Sequence, residues 1–213
     1  MTQGALFPGD VEVVDVGDPD CRIEYHPEFL DAATADALFA TLVETIPWTQ
    51  RHIIVFGERH RVPRLEAWIG DEGADYGYSG DQLIRHDWPP ELDALRRSLA
   101  ATVGVSFTGV LANRYRTGAD KVGWHADDEP ELGAEPTIAS VSLGATRRFR
   151  LRHRDRSTTA TVDLAHGSLL VMAGSTQRRC VHELSSTTRP VGERVNLTFR
   201  RVGASSSVGS SGR

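Results

Sequence analysis

From residue 106 onward the chain breaks into strand-length segments: "SFTGVLANRY", "TIASVSLG", "RFRLRHR", "TATVDL", "SLLVMAG", "CVHEL" and "RVNLTFRRV". Apolar and β-branched residues recur inside each segment, Gly, Asp, Ser and Pro punctuate the gaps, and no helical period runs through the stretch. Such a succession predicts an antiparallel sandwich or jelly roll. The fold class expected is mainly β, α+β overall.

The first half differs. Residues 1 to about 28 read as short extended pieces, "VEVVDV" and "CRIEYH", separated by Gly, Asp and Pro. "LDAATADALFATLVETI" predicts a helix with Asp31 as N-cap and an apolar stripe of Leu38, Leu42 and Ile46. "PPELDALRRSLAATVG" predicts a second, with Pro90 in its first turn, Leu92, Leu95 and Leu99 on one face, and Gly104 as its stop. Between them "HIIVFGERHRVPRLEAWIGDEGADYGYSG" has no clean period and is expected to be a functional surface loop. With 213 residues the chain suits one domain. It is expected to span 1–203, with an N-terminal part over 1–105, a jelly-roll core over 106–203 and a disordered Gly/Ser-rich tail at 204–213.

No apolar run approaches the ~20 residues of a membrane helix, and the N-terminus lacks a signal-peptide pattern, so a cytoplasmic monomer with no membrane partner is expected. Cys21 and Cys180 are the only cysteines, too few for a disulfide framework, and are expected to be reduced. The net charge of −5 argues against bulk adhesion to nucleic acid. Lys121 is the sole lysine, so arginine carries nearly all the positive charge and provides any local anion sites.

The chemistry gathers at "GWHADDEPEL". In extended backbone, residues two apart share a side, so His125 and Asp127 aim at one point. An imidazole and a carboxylate suit a first-row divalent ion, and a third ligand should come from a later strand. His153 sits in an arginine run that disfavours a cation, and His166 in the turn "LAHGS"; His182, flanked by Val181 and Leu184, is the choice. In "RVNLTFR", Arg194, Asn196, Thr198 and Arg200 alternate strictly with Val195, Leu197 and Phe199. A buried row with two arginines makes sense only with anions to meet it, and a short dicarboxylate gripped at both ends would serve. The alternative is an exposed edge strand. Asn113 and Tyr115, two apart in "LANRYRTG", would complete a carboxylate's hydrogen bonds.

Taken in order, NxY, HxD, the distant His and RxNxTFR, with "VPR" before them and "IASVSLGATRRFRLRH" between, resemble the AlkB family of Fe(II)/2-oxoglutarate-dependent dioxygenases. The resemblance is nearest to the branch that acts on double-stranded DNA, and runs from about residue 53 to 202. It implies a double-stranded β-helix, a jelly-roll variant, with N-terminal helices and a nucleotide-recognition lid. It implies Fe(II) on His125, Asp127 and His182, and 2-oxoglutarate held by Asn113, Tyr115, Arg194, Asn196, Thr198 and Arg200, with Arg194 on the distal carboxylate and Arg200 on the one nearer iron. With O2 as co-reactant, the implied activity is oxidative demethylation of bases such as 1-methyladenine and 3-methylcytosine in DNA, for repair of alkylation damage. "DYGYSG" resembles the lid segment, giving Tyr76, Gly77 and Tyr78 as pocket walls; Asp128 matches an acid that meets the base's polar edge, beside Glu129. "VFGE" resembles a wedge entering the duplex, with Phe56, Gly57 and Glu58 at its tip, and Arg64 of "VPR" joins the substrate set. One departure stands out: between the third ligand and RxNxTFR the double-strand branch has a basic cluster, whereas this chain has "SSTTRPVGE" with only Arg189. The run "RRFRLRHRDR" offers phosphate contacts instead. A demethylase of RNA or single strands, and a non-catalytic methyl-base-binding jelly roll, are the alternative readings.

Overall fold

The structure is a computed structural model and describes residues 10–55, 57–78 and 81–203. In chain order its elements are β1 (Glu12–Val13), β2 (Cys21–His26), α1 (Ala32–Thr45), β3 (His52–Val55), β4 (Glu58–Arg61), β5 (Leu65–Gly70), β6 (Gly77–Tyr78), β7 (Asp81–Gln82), β8 (Arg85–His86) and α2 (Pro90–Val103). The second half follows with β9 (Gly109–Tyr115), β10 (Val122–His125), β11 (Ile138–Gly144), β12 (Arg147–His153), β13 (Thr159–Leu164), β14 (Leu169–Gly174), α3 (Thr176–Arg179), β15 (Cys180–Leu184) and β16 (Arg194–Arg200). The expected tail at 204–213 and Phe56 lie outside the described residues.

Two sheets face each other. The larger has eight strands in the order β1-β2-β14-β11-β16-β9-β5-β8, the smaller four in the order β10-β15-β12-β13. Every segment expected as a strand from residue 106 onward is one, and pairing is antiparallel except between β5 and β8. One face of the large sheet is covered by the helices. Leu42, Leu92 and Leu99 pack there against Ala112, Val141, Val195, Leu197 and Phe199. Full burial of each large aliphatic side chain contributes roughly 1.5–3 kcal/mol. Both helices follow from their sequence signals: Asp31 Oδ1 accepts from Thr34 N–H at 2.8 Å, and Gly104 ends α2 with φ of 74°.

The opposite face of the large sheet meets the small sheet. Leu111, Tyr115, Ile138, Leu170 and Met172 approach Phe149, Leu151, Leu164 and Leu184. On β12 the alternation is strict: Arg147, Phe149, Leu151 and His153 are buried, while Arg148, Arg150 and Arg152 are exposed. The arginine run is therefore half interior and half solvated surface.

One expectation is corrected. The segment after residue 52 is not simply a surface loop: it forms the β3–β4 hairpin and then β5, an interior strand of the large sheet paired along its length with β9. Ala67 and Ile69 face the helices while Glu66 and Trp68 face the other way, and all four are buried. A strand covered on both faces shows no polar alternation, so period-based reading passes over it. Gly109 of β9 lies directly against the Trp68 ring, where a Cβ would collide with it.

Candidate active site

The pocket opens between the sheets, on the inner faces of β9, β16 and β15. β16 is interior, paired with β11 on one side and β9 on the other, which rules out an exposed edge strand for its arginines. Arg194, Asn196, Thr198 and Arg200 all point inward and are buried. They bond along their own strand: Arg194 Nη2 donates to Asn196 Oδ1 at 2.7 Å, and Asn196 Nδ2 donates to Thr198 Oγ1 at 2.8 Å. Ser142 and Ser140 of β11 complete the row, Ser142 Oγ accepting from Arg194 and Ser140 Oγ donating to Asn196 Oδ1.

β10 ends at His125 and the chain leaves the sheet, so Asp127 sits in irregular backbone that doubles back into the pocket. β10 lies beside β15 with His125 directly opposite His182. The two rings meet edge to face with centroids 4.3 Å apart. One ligand atom from each of His125, Asp127 and His182 lies within 4.8 Å of the others. The His125 Nδ1–H donates to Gly123 O at 2.8 Å, leaving Nε2 as the electron-pair donor. Burial, reinforced by His125, holds the His182 imidazole at about 3, and burial lowers His125 too, so both rings are neutral at physiological pH. Burial opposes ionisation of Asp127, but Arg200 and the two histidines outweigh it and hold the carboxyl at about 2. Two neutral imidazoles and one carboxylate are the donor set that non-haem iron takes, with coordination positions left open.

The arginines supply the second half of the fit. Arg194 is fully buried, and among the described residues no carboxylate pairs with it; burial pulls its guanidinium down to about 10. Its Nε, like that of Arg200, is buried without a hydrogen-bond partner. The Arg194 guanidinium also stacks over the Tyr115 ring at 5.2 Å. Arg200 bonds to Asp127 and lies 5.1 Å over the ring of Tyr76. A buried cation without an anion costs several kcal/mol, so an anionic ligand is the natural complement of this row.

The other expected residues are placed as follows. Arg64 lines the pocket, donates from Nε to Asn113 Oδ1 at 2.8 Å and from Nη2 to Glu66 Oε1 at 2.6 Å. Tyr76 is buried, stacks on Trp68 at 4.6 Å, and its hydroxyl lies near Glu129 without completing a hydrogen bond. Glu129 turns inward and burial raises its carboxyl, whereas Asp128 is more than half exposed and pairs with Arg154 at 3.2 Å. The acid facing inward is thus the residue after Asp128. Gly57 and Glu58 are exposed on the hairpin, and Gly77 begins β6. Phe56 and the side chain of Tyr78 lie outside the described residues.

Three residues escaped the sequence reading. Gln177, buried on α3, accepts from the Asp127 N–H at 2.9 Å and donates to Met172 Sδ at 3.6 Å, which fixes the irregular backbone bearing the carboxylate. Glu66 joins Arg64 to Arg51, whose Nε donates to it at 2.8 Å. Arg147 reaches under Tyr115 and donates to Asp120 O and Ser185 O, tying two loops together. Only Glu66 left a signal: a lone acid, two residues after Arg64, in an otherwise apolar strand.

A second cluster, Asp18, Cys21 and His153, also brings potential ligands within 4.8 Å. Its hydrogen bonds argue against a metal. His153 Nδ1 accepts from Asp155 N–H, so Nε2 carries the proton and donates to Asp18 Oδ2 at 3.1 Å, which Arg179 also neutralises. His153 is a satisfied interior histidine.

A jelly roll with a His-Asp-His donor set and buried arginines alongside defines a non-haem iron oxygenase scaffold. A model of the 2OG-Fe(II) oxygenase superfamily matches residues 22–200. The DNA oxidative demethylase ALKBH2 of Mus musculus is 42% identical over 181 residues, 80% of this chain and 76% of the relative. The alpha-ketoglutarate-dependent dioxygenase alkB homolog 3 of Bos taurus is 38% identical over 190 residues, 85% of this chain and 66% of the relative. Among solved structures, OsALKBH1 superimposes with a TM-score of 0.62 at 18% identity, covering 84% of this chain and 97% of that one, a likeness of fold alone. The chain belongs to the 2OG-Fe(II) oxygenase superfamily and, within it, to the AlkB family. Members of that superfamily use Fe(II), 2-oxoglutarate and O2, and the residues present fit the first two.

Proposed function

We propose that the protein is a DNA oxidative demethylase that removes N-methyl groups from bases such as 1-methyladenine and 3-methylcytosine, coupled to decarboxylation of 2-oxoglutarate. The observation that carries the reading is Arg194: a fully buried guanidinium with no carboxylate partner among the described residues and an orphaned Nε, in the pocket that holds His125, Asp127 and His182. Relatives named DNA oxidative demethylase at 40% and 42% identity support the substrate class.

His125, Asp127 and His182 would hold Fe(II), which when bound activates O2 for oxidation of the methyl group. Arg194, with Asn113 and Tyr115 beside it, would receive one carboxylate of 2-oxoglutarate; Arg200, with Thr198 and Asn196 along the strand, would receive its other acidic end. Arg200 has a second task, since its bond to Asp127 keeps that carboxylate ionised and oriented. The neutral imidazoles are ready to ligate without first losing a proton. Tyr76 and Arg64 form walls of the base pocket, and the inward Glu129 suits the positive charge of an N-methylated base better than the outward Asp128. On the exposed face of β12, Arg148 and Arg150 are paired with Asp163 and Glu183, which leaves Arg152, stacked over Trp124, to meet a phosphate and contribute a salt-sensitive part of the affinity.

Calorimetric titration under anaerobic conditions tests the carrying observation. With Mn(II) present, 2-oxoglutarate should bind the wild-type protein, and Arg194→Met should weaken it at least ten-fold, the ~1.4 kcal/mol floor expected from losing one charged partner. Equal affinity for the two proteins would remove Arg194 from the cosubstrate site and the reading with it.

A further inference from the structure

A second cavity of about 590 Å3 lies between the β3–β4 hairpin and the segment around β8. One wall is the hairpin face that carries Ile54 and Arg59, directly opposite each other in the pairing; the other wall carries Ile84 and His86, and Trp68 forms part of the floor. Ile54 and Ile84 are each 78% exposed. A single exposed isoleucine needs no explanation, but two across one cavity mark a surface built to be covered. The acid that lines the cavity, Glu66, is already bonded to Arg51 and Arg64. Among the described residues no acid pairs with Arg59, so the cavity joins apolar walls to an unmatched cation. The volume falls within the ~300–1,000 Å3 usual for small-ligand sites.

Its position narrows the occupant. Trp68 stacks on Tyr76, and Arg200 of the catalytic pocket lies over that same Tyr76 ring. Glu66 likewise joins Arg51, which lines the cavity, to Arg64, which lines the pocket. The two cavities are thus separated by about one layer of side chains. A flat apolar group bearing an anion, next in line to a base held in the pocket, is a nucleotide.

We propose that this cavity is a second nucleotide subsite, which takes the unpaired neighbour of the base under reaction, its ring between Ile54 and Ile84 and its phosphate on Arg59. The inference rests on the DNA-demethylase reading and adds a preference for a locally unpaired strand. It gives the hairpin a task on its inner face.

The test uses Arg59→Glu and Ile84→Asp, both at exposed positions, with Val13→Asp on β1 as an exposed control outside the cavity. Affinity is measured by fluorescence anisotropy with an unmethylated, end-labelled single-stranded DNA oligonucleotide and with its duplex. Co(II) titration of each variant reports on the metal site. Each cavity variant should weaken single-strand binding roughly ten-fold or more while Co(II) affinity and the Val13→Asp control stay near wild type. With a methylated single strand, KM should rise in step and kcat hold. Wild-type affinity in both cavity variants, or a loss confined to the duplex, overturns the subsite. If the wild-type protein demethylates nothing while the variants still lose single-strand binding, the reaction assigned above fails and the subsite stands. If it demethylates and the variants bind unchanged, the subsite alone fails.

Discussion

Arg200 and Asp127 are bonded to each other inside the pocket, Nη2 to Oδ1 at 2.5 Å, with both side chains buried. The carboxylate proposed to ligate the metal is therefore also the arginine's partner. From the HxD spacing alone, removing Asp127 would be expected to end turnover and leave the fold intact; the bond changes that expectation. Asp127→Ala strands a buried guanidinium and should cost about 3–5 kcal/mol of stability, whereas Asp127→Asn keeps an acceptor and should cost less. Urea midpoints should fall in the order wild type, Asp127→Asn, Asp127→Ala, with Co(II) binding lost in both variants. Identical midpoints for all three would break the link between ligand and fold.

Gln177 is expected to act as a positioning residue. Its side-chain oxygen holds the Asp127 N–H where no strand pairing does so. Gln177→Leu should lower Co(II) affinity about 10–100-fold, the usual cost of disturbing the groups that orient a ligand. Gln177→Glu, which keeps the accepting oxygen, should lie closer to wild type. A leucine variant that binds Co(II) like wild type would show that Asp127 is held by other means.

Glu66 is buried between two arginines, accepting from Arg51 and Arg64. Neutralising it weakens two charge-assisted hydrogen bonds in the interior, so Glu66→Gln should destabilise the protein by roughly 1.5–3 kcal/mol, measurable by chemical denaturation. A change below the error of the fit would mean that Arg51 and Arg64 find other partners.

The pH dependence follows from the histidines. His182 is held at about 3 and His125 is also lowered, burial being the first cause in each, while in the unfolded chain both titrate near 6.5. Between these values the unfolded chain binds more protons. Their contribution to stability is full above about 6.5 and is lost as pH falls toward 3. Asp127, lowered to about 2, adds a loss of the same sign below its unfolded value near 3.8. Without added metal, the melting temperature should be level from pH 7.5 to 6.5 and then fall by several degrees by about pH 5. His182→Phe should flatten that decline, and a melting temperature that rises on acidification would contradict the neutral assignment.

Much of this site was legible because β16 is amphipathic in an unusual sense: Arg194 and Arg200 on one face and Val195 and Phe199 on the other mark a strand with an apolar core behind it and an anion site before it. HxD was legible for the same reason of periodicity, although Asp127 proves to lie beyond the strand. What stayed hidden depends on contacts distant in sequence. Gln177 reaches Asp127 across a gap of 50 positions. β5 was hidden because burial on both faces erases alternation. Asp128 and Glu129 could not be told apart because, past the end of β10, irregular backbone and not a period of two decides which acid turns inward.

The central claim meets its most direct test in one reaction. The protein is loaded anaerobically with Fe(II) and 2-oxoglutarate, mixed with a single-stranded DNA oligonucleotide carrying one 1-methyladenine, and exposed to O2, and the oligonucleotide is then read by mass spectrometry. The account expects the methyl group to be lost, with formaldehyde and succinate formed alongside, and expects no loss when iron, 2-oxoglutarate or O2 is left out or when Arg194→Met replaces the wild type. An oligonucleotide that keeps its methyl group in the complete mixture, and likewise when 3-methylcytosine or a duplex is supplied, would contradict it.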